Sequence, residues 1–115
     1  MKITEPVRIQ LSRKKGFNLQ EYSRSINGLP AVVVSRPSRW GNIFKIGETF
    51  IQEDGESIIL NRQQTINLFE QSIFFYGNPV CLKDIINALR GKNLACWCGL
   101  SEKCHGDILL KIAND

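Results

Sequence analysis

The chain has 115 residues, 43% of them hydrophobic and 23% charged, with a formal net charge of +4. That length suits one cored domain rather than two, and the composition excludes a disordered or fibrous chain. No apolar run approaches the roughly 20 residues of a membrane span, and no apolar signal-peptide core follows Met1-Lys2, so the expectation is a cytoplasmic protein with no membrane partner. In a reducing compartment four cysteines speak for metal binding, catalysis or burial rather than for disulfides. The positive balance suits an anionic partner, although ordinary solvation also accounts for a charge of this size.

Val7 to Leu11 alternates apolar and polar residues, the period of a half-buried strand, and ends in the basic turn Ser12-Arg13-Lys14-Lys15-Gly16. Phe17 to Ile26 suits a short helix with Leu19, Tyr22 and Ile26 on one face, closed by Asn27-Gly28. Ala31 to Ser35 is a β-branched run of the kind found in central strands buried on both faces. It empties into Arg36-Pro37-Ser38-Arg39-Trp40-Gly41-Asn42. There the arginines offer forked donors to phosphate or carboxylate, Trp40 a stacking face and Asn42 polar edges. The competing reading is a surface turn whose tryptophan caps the core.

Glu48 to Gln52 and Glu56 to Leu60 read as a hairpin around Asp54-Gly55. A helix follows over Arg62 to Tyr76, started by Asn61 and Gln64 as a capping-box pair and stopped by Gly77. Its apolar face is Ile66, Phe69 and Ile73, widened by Leu68 and by Phe74 to Tyr76, and this stripe reads as core. A second helix spans Pro79 to Arg90, with Asn78 as N-cap, a stripe of Leu82, Ile85, Ile86 and Leu89, and Cys81 buried beside it. Leu94 to Cys98 is the last strand, and an amphipathic helix opens at Cys104-His105-Gly106-Asp107.

Strands alternating with helices predict an α/β fold, a single domain with a small, partly parallel sheet flanked by helices. In such sheets ligands bind off the carboxyl ends of the strands. Three strand ends here carry chemistry: Arg13-Lys14, Arg36 to Asn42, and Cys98 onward.

Three of the four cysteines and the only histidine fall between Cys96 and His105, and three readings of them stand open. Cys96, Cys98, Cys104 and His105 form a set that zinc can use, although cysteines two apart on a flat strand must pinch to share one ion. Alternatively Cys98 or Cys104 is a reactive thiol. Cys104, at a helix N-terminus, has its thiolate favoured there, with His105 as base and Asp107 orienting it or favouring the helix start. In the third reading Cys96 packs as a small hydrophobe. Gly106 permits close backbone approach, and amides at that helix start suit a phosphate.

RPSRWGN at Arg36 to Asn42, ACWC at Ala95 to Cys98 and CHGD at Cys104 to Asp107 resemble the domain of unknown function 4326 family. These are small proteins of bacteria, archaea and their viruses. The resemblance runs from about Val7 to the C-terminus and implies these motif positions and an α/β architecture. The family pattern usually reads Trp-Gly-Asn-Pro-Phe, whereas Ile43 stands here before Phe44.

The expectation is one pocket at the strand ends that binds a nucleotide-like or other phosphorylated ligand and acts on it through Cys98, Cys104, His105 and Asp107. Arg13, Lys14, Arg36, Ser38, Arg39, Trp40, Gly41, Asn42 and Gly106 would bind the ligand, with Arg36 and His105 as site residues rather than core. One alternative, implied by the viral members of the family, is a non-catalytic protein that sequesters a host signal or blocks a host protein, acting in host cytoplasm. Another is a nucleic-acid-binding module using Arg13, Lys14, Lys15, Arg36 and Arg39.

Overall fold

The computed structural model describes residues 5–75 and 80–115. Tyr76, Gly77, Asn78 and Pro79 lie outside the described residues, and with them the expected helix stop, cap and first-turn proline. In chain order the elements are β1 (Arg8–Gln10), α1 (Leu19–Asn27), β2 (Ala31–Val33), β3 (Thr49–Ile51), β4 (Ser57–Ile59), α2 (Arg62–Phe75), α3 (Leu82–Leu89), β5 (Asn93–Cys96) and α4 (His105–Asn114). No helix among them is long and apolar enough to cross a membrane.

The fold is α/β. A three-stranded sheet in the order β1-β5-β2 is parallel throughout, with Arg8 opposite Leu94 on one side and Val32 opposite Leu94 on the other. The β-branched run therefore occupies an edge and not the middle. Val33 is 38% exposed, while every residue of β5 is buried. β-Branching specifies an extended backbone without specifying its rank in a sheet. Hydropathy also misjudges the true central strand, because it begins with Asn93, a polar residue that is fully buried. Asn93 survives there because its amide pairs face to face with that of Asn27, both bonds 2.8 Å, donates to Ser23 Oγ at 2.7 Å and accepts the Val7 N–H at 3.0 Å. Buried polar groups are tolerated when bonded in this way.

One sheet face carries the main core, where Leu94 meets Phe69 and Ile73 of α2, Ile85 and Leu89 of α3, and Leu109 and Ala113 of α4. Each such side chain contributes about 1.5–3 kcal/mol by leaving water. The other face is a smaller cluster of Ile9, Ala31 and Ala95 under Leu11 and Leu19. The face expected of α1 is largely wrong. Tyr22 and Ile26 are 44% and 42% exposed, and the helix seats itself through Ser23, whose hydroxyl donates to the Leu29 carbonyl.

The hairpin forms as read, β3 pairing antiparallel with β4 and Gly55 turning at φ +88°. The capping box also forms. Asn61 Oδ1 accepts the Gln64 N–H and Gln64 Oε1 accepts the Asn61 N–H, both at 2.8 Å. Thr65, Ile66, Phe69, Ser72 and Ile73 make the buried face of α2, so Phe74 and Phe75 rotate off it and are 48% and 76% exposed rather than core. α3 begins at Leu82, later than expected, with Cys81 in the N-cap position. There the thiol is exposed, not buried beside the stripe.

Two substitutions separate the capping and packing contributions. Asn61→Ala removes one cap and should lower unfolding free energy by about 1 kcal/mol. Asn93→Ala strips partners from several buried polar groups at about 1–3 kcal/mol each, and urea denaturation should show the larger loss.

Candidate functional site

Because β1, β5 and β2 are parallel, their carboxyl ends open on one edge. The ladder continues past the strands, with the Leu11 N–H donating to the Cys96 carbonyl at 2.8 Å and the Val34 N–H to the Ala95 carbonyl at 2.9 Å. At that edge lies a cavity of about 220 Å³ whose walls include both Arg36 and His105, so the two halves of the expected site do converge.

The floor is the cysteine–histidine cluster. Cys96 closes β5, Cys104 caps α4, and His105 is the first residue of that helix. The Sγ atoms of Cys96 and Cys104 and a ring nitrogen of His105 lie within 4.8 Å of one another, all three residues buried. His105 Nε2 sits 2.7 Å from the Val34 carbonyl, which can only accept, so Nε2 carries the proton. Nδ1 is therefore the lone-pair nitrogen, and it faces Cys104 Sγ at 3.7 Å. Cys98, just beyond the strand, places its Sγ 3.8 Å from that of Cys96.

The Cys104 thiol donates to the Cys96 sulfur, which pulls Cys96 down to about 5 and pushes Cys104 up. The Gly106 N–H, 3.4 Å from Cys104 Sγ, favours a Cys104 thiolate but is outweighed, so the pair shares one proton. Burial lowers the pKa of His105 and keeps its ring neutral at pH 7. His105 is consequently part of the packed interior as well as of the cavity wall, with its ring edge-on to Phe69 at 5.2 Å.

Asp107 does not orient His105. One carboxylate oxygen accepts the Cys104 N–H at 3.2 Å, completing a capping box, and the other pairs with Arg8 Nε at 2.9 Å. The same box takes two of the amides expected to seat a phosphate, the Cys104 amide going to Asp107 and the Gly106 amide to Cys104 Sγ. Gly106 serves packing instead. A Cβ there would lie 3.2 Å from Arg8 Cδ and 3.5 Å from Val34 Cγ2.

Arg8 itself was not foreseen. Its side chain, 6% exposed, also donates to the carbonyls of Cys98, Gly99, Leu100 and Glu102 at 2.7–3.2 Å. It thereby holds the loop from β5 to α4. In the sequence Arg8 is only one polar position of an alternating strand.

The RPSRWGN segment divides. Arg36 and Asn42 reach the cavity, whereas Ser38, Arg39, Trp40 and Gly41 do not line it. Trp40 is 7% exposed inside the main core and offers no stacking face. Arg39 lies over its ring at 4.7 Å and pairs with Asp84 at 3.3 Å. Gly41 is required by close approach, because a Cβ would sit 2.7 Å from Arg36 Cγ and 3.0 Å from its backbone nitrogen. Asn42 works as a clamp, donating to the Thr65 carbonyl and accepting the Phe44 N–H. Arg36 NH1 donates to the Asn42 carbonyl at 2.9 Å, and its NH2 and Nε find no partner among the described residues. Ile43, the departure from the family pattern, is 48% exposed and outside the cavity wall.

Arg13 and Lys14 are also absent from the cavity wall, and Arg13 stacks on Trp97 at 4.2 Å. Trp97, Arg62 and Lys103 line it in their place. The strand stops at Cys96 rather than at the expected Cys98, and Trp97 beyond it is 42% exposed at the rim. Arg62 and Lys103 come from a helix start and a loop, where single cations carry no spacing pattern to read.

The family model described as Domain of unknown function (DUF4326) matches residues 9–115, nearly the whole chain. The chain belongs to that family. No curated protein and no solved structure matches it. In this member the three motifs have distinct places: CWC and the start of CHGD form the cavity floor, and RPSRWGN supplies one wall and a core plug.

Arg8→Ala should lower stability by about 3 kcal/mol, at the low end for a broken buried pair because Asp107 is 49% exposed. The same variant should speed hydrogen exchange at Gly99, whose amide bonds Glu102 within the stapled loop. Unchanged exchange there would show that the loop holds itself.

Proposed function

We propose that the cavity binds the phosphate-bearing end of a nucleotide-like ligand, with the thiol–imidazole cluster positioned to act on it. The observation that carries this reading is Arg36: a guanidinium on the cavity wall that bonds only carbonyls and meets no carboxylate among the described residues. Such a group is complementary to a planar or tetrahedral anion. Arg62 and Lys103 line the same cavity, and of these only Arg62 has an acidic partner, Glu102 at 3.2 Å, among the described residues.

Size limits the ligand. At about 220 Å³ the cavity falls below the ~300–1,000 Å³ usual for drug-sized molecules, so it encloses the anionic end and leaves the remainder at the rim. There Trp97 is 42% exposed, and with Arg13 stacked over one face of its ring the remaining exposed part suits a base or sugar face. Free thiols throughout the four cysteines suit a reducing, cytoplasmic setting.

Arg62 is the residue to change, because its contacts to Glu102 and the Lys103 carbonyl are exposed and contribute little to folding. Arg36→Ala, by contrast, would also free the Asn42 and Phe44 carbonyls. Calorimetry with a panel of nucleoside 5′-monophosphates, and with inorganic phosphate as reference, should show saturable binding by the wild type. Arg62→Ala should weaken it ten- to a hundred-fold, the value of one charge-assisted bond at ~1.5–3 kcal/mol. Absence of binding by every phosphate, or equal affinity in the variant, would remove the reading.

A further inference from the structure

We propose that Cys96, Cys104 and His105 bind one Zn²⁺ through Sγ, Sγ and Nδ1, with the fourth tetrahedral position open to the cavity. The three donor atoms already cluster within 4.8 Å of one another and are buried, and both cysteines are free of disulfides. Zinc bonds of about 2.3 Å to sulfur and 2.0–2.1 Å to nitrogen set tetrahedral donor atoms roughly 3.5–3.8 Å apart. The Cys104 Sγ to His105 Nδ1 distance is 3.7 Å.

The surroundings are those of a metal ligand shell. A ligating histidine donates its other N–H to a carbonyl or carboxylate, which fixes the tautomer and the ring plane. His105 does this through Nε2 to the Val34 carbonyl at 2.7 Å, leaving Nδ1 as the nitrogen that can accept a metal. Cys104 Sγ receives the Gly106 N–H at 3.4 Å, a bond that orients the sulfur and favours its thiolate once a cation is present. The donors come from the end of a central strand and the first positions of a helix, so ordering them costs little on binding.

Two thiolates and one imidazole select zinc over magnesium, calcium or manganese, which prefer oxygen. Cys98 is kept out of the ligand set. Its Sγ is 3.8 Å from that of Cys96, yet it does not belong to the group in which all donor atoms lie within 4.8 Å, and Arg62 NH1 claims it at 3.5 Å. This arrangement also releases the strain of a C-x-C pair sharing one ion, since the second thiolate comes from α4. Two thiolates cancel the charge of Zn²⁺, and loading it displaces the one proton the thiol pair shares to solvent. The open position then faces the cavity that Arg36 and Arg62 line, where an anion would meet both metal and guanidinium. Only that last consequence rests on the ligand-pocket reading.

The test is titration of the reduced, metal-free full chain with Co²⁺, followed by displacement with Zn²⁺. One equivalent should give thiolate-to-cobalt charge transfer and the intense visible bands of a four-coordinate ion, both abolished by Zn²⁺. Cys98→Ser should retain stoichiometric binding. Cys104→Ser, which keeps a competent helix cap, and His105→Ala should each weaken it at least ten-fold. Azide should shift the visible bands of the wild-type complex, because an open position accepts it. A reduced wild type without the charge-transfer band overturns the site. Loss of metal in Cys98→Ser, or bands unmoved by azide, overturns the open position. The titration uses no phosphate ligand, so its failure and the failure of monophosphate binding are separate results.

Discussion

The geometry of this site depends on one buried guanidinium. Arg8 leaves β1, crosses beneath the loop after β5 and gathers four backbone carbonyls together with the Asp107 carboxylate. Desolvating an arginine is costly unless its donors are filled, and here they are filled by the segment that must be shaped. The loop from Cys98 to Glu102 has no strand or helix of its own to define it. Its path, and therefore the distance from Cys96 to Cys104, follows from where Arg8 holds it. The His105 bond to the Val34 carbonyl does the complementary task on the other side, tying α4 to the end of β2. Between them the two contacts tie β1, β2 and α4 around the end of β5.

Much of the framework was legible because local chemistry and global fold agree. The Asn61–Gln64 box, the period of Ile66, Phe69 and Ile73, and the hairpin at Gly55 each rest on contacts between near neighbours, which a linear pattern encodes. Strand convergence was legible too, since alternating helices and strands favour parallel neighbours with their ends together. What stayed hidden depends on contacts distant in sequence. Asn93 finds Asn27 across 66 positions and Arg8 finds Asp107 across 99, and no spacing rule links such pairs. The places of the two tryptophans depend on such contacts as well. Trp40 was open to two readings, a binding face or a cap on the core, and it packs in the core, while the last strand ends at Cys96, two residues before the expected Cys98, and leaves Trp97 exposed.

The start of α4 illustrates how a motif can be located correctly and interpreted wrongly. A helix N-terminus with a glycine invites an anion on its amides. In this chain two of those amides are already taken, by Asp107 and by the Cys104 sulfur. Under the proposed reading, anion recognition then falls mainly to side chains, and the candidates are those lining the cavity, Arg36, Arg62 and Lys103. The acidic partner Arg8 takes is equally consequential. Asp107 bound to Arg8 is unavailable to His105, so the imidazole is oriented by a carbonyl; burial keeps it neutral, which suits a ligand atom or an acceptor rather than a charged acid.

RPSRWGN can be understood in the same terms, as a segment folded for one residue. Trp40 anchors it in the core, and Arg39 covers the outer face of that ring. Gly41 lets the backbone return against the Arg36 main chain, an approach no side chain would permit. Asn42 then pins the returning chain to α2 through the Thr65 carbonyl, and presents its own carbonyl to Arg36 NH1 at 2.9 Å. The consequence is a guanidinium held by one of its nitrogens while the rest of it stays available at the cavity. A flexible arginine would give up rotamer freedom on meeting an anion, about 2 kcal/mol in the limit. Arg36 has already surrendered part of that freedom in folding the loop, so under the proposed reading the anchoring by Trp40, Gly41 and Asn42 lowers the cost of meeting an anion.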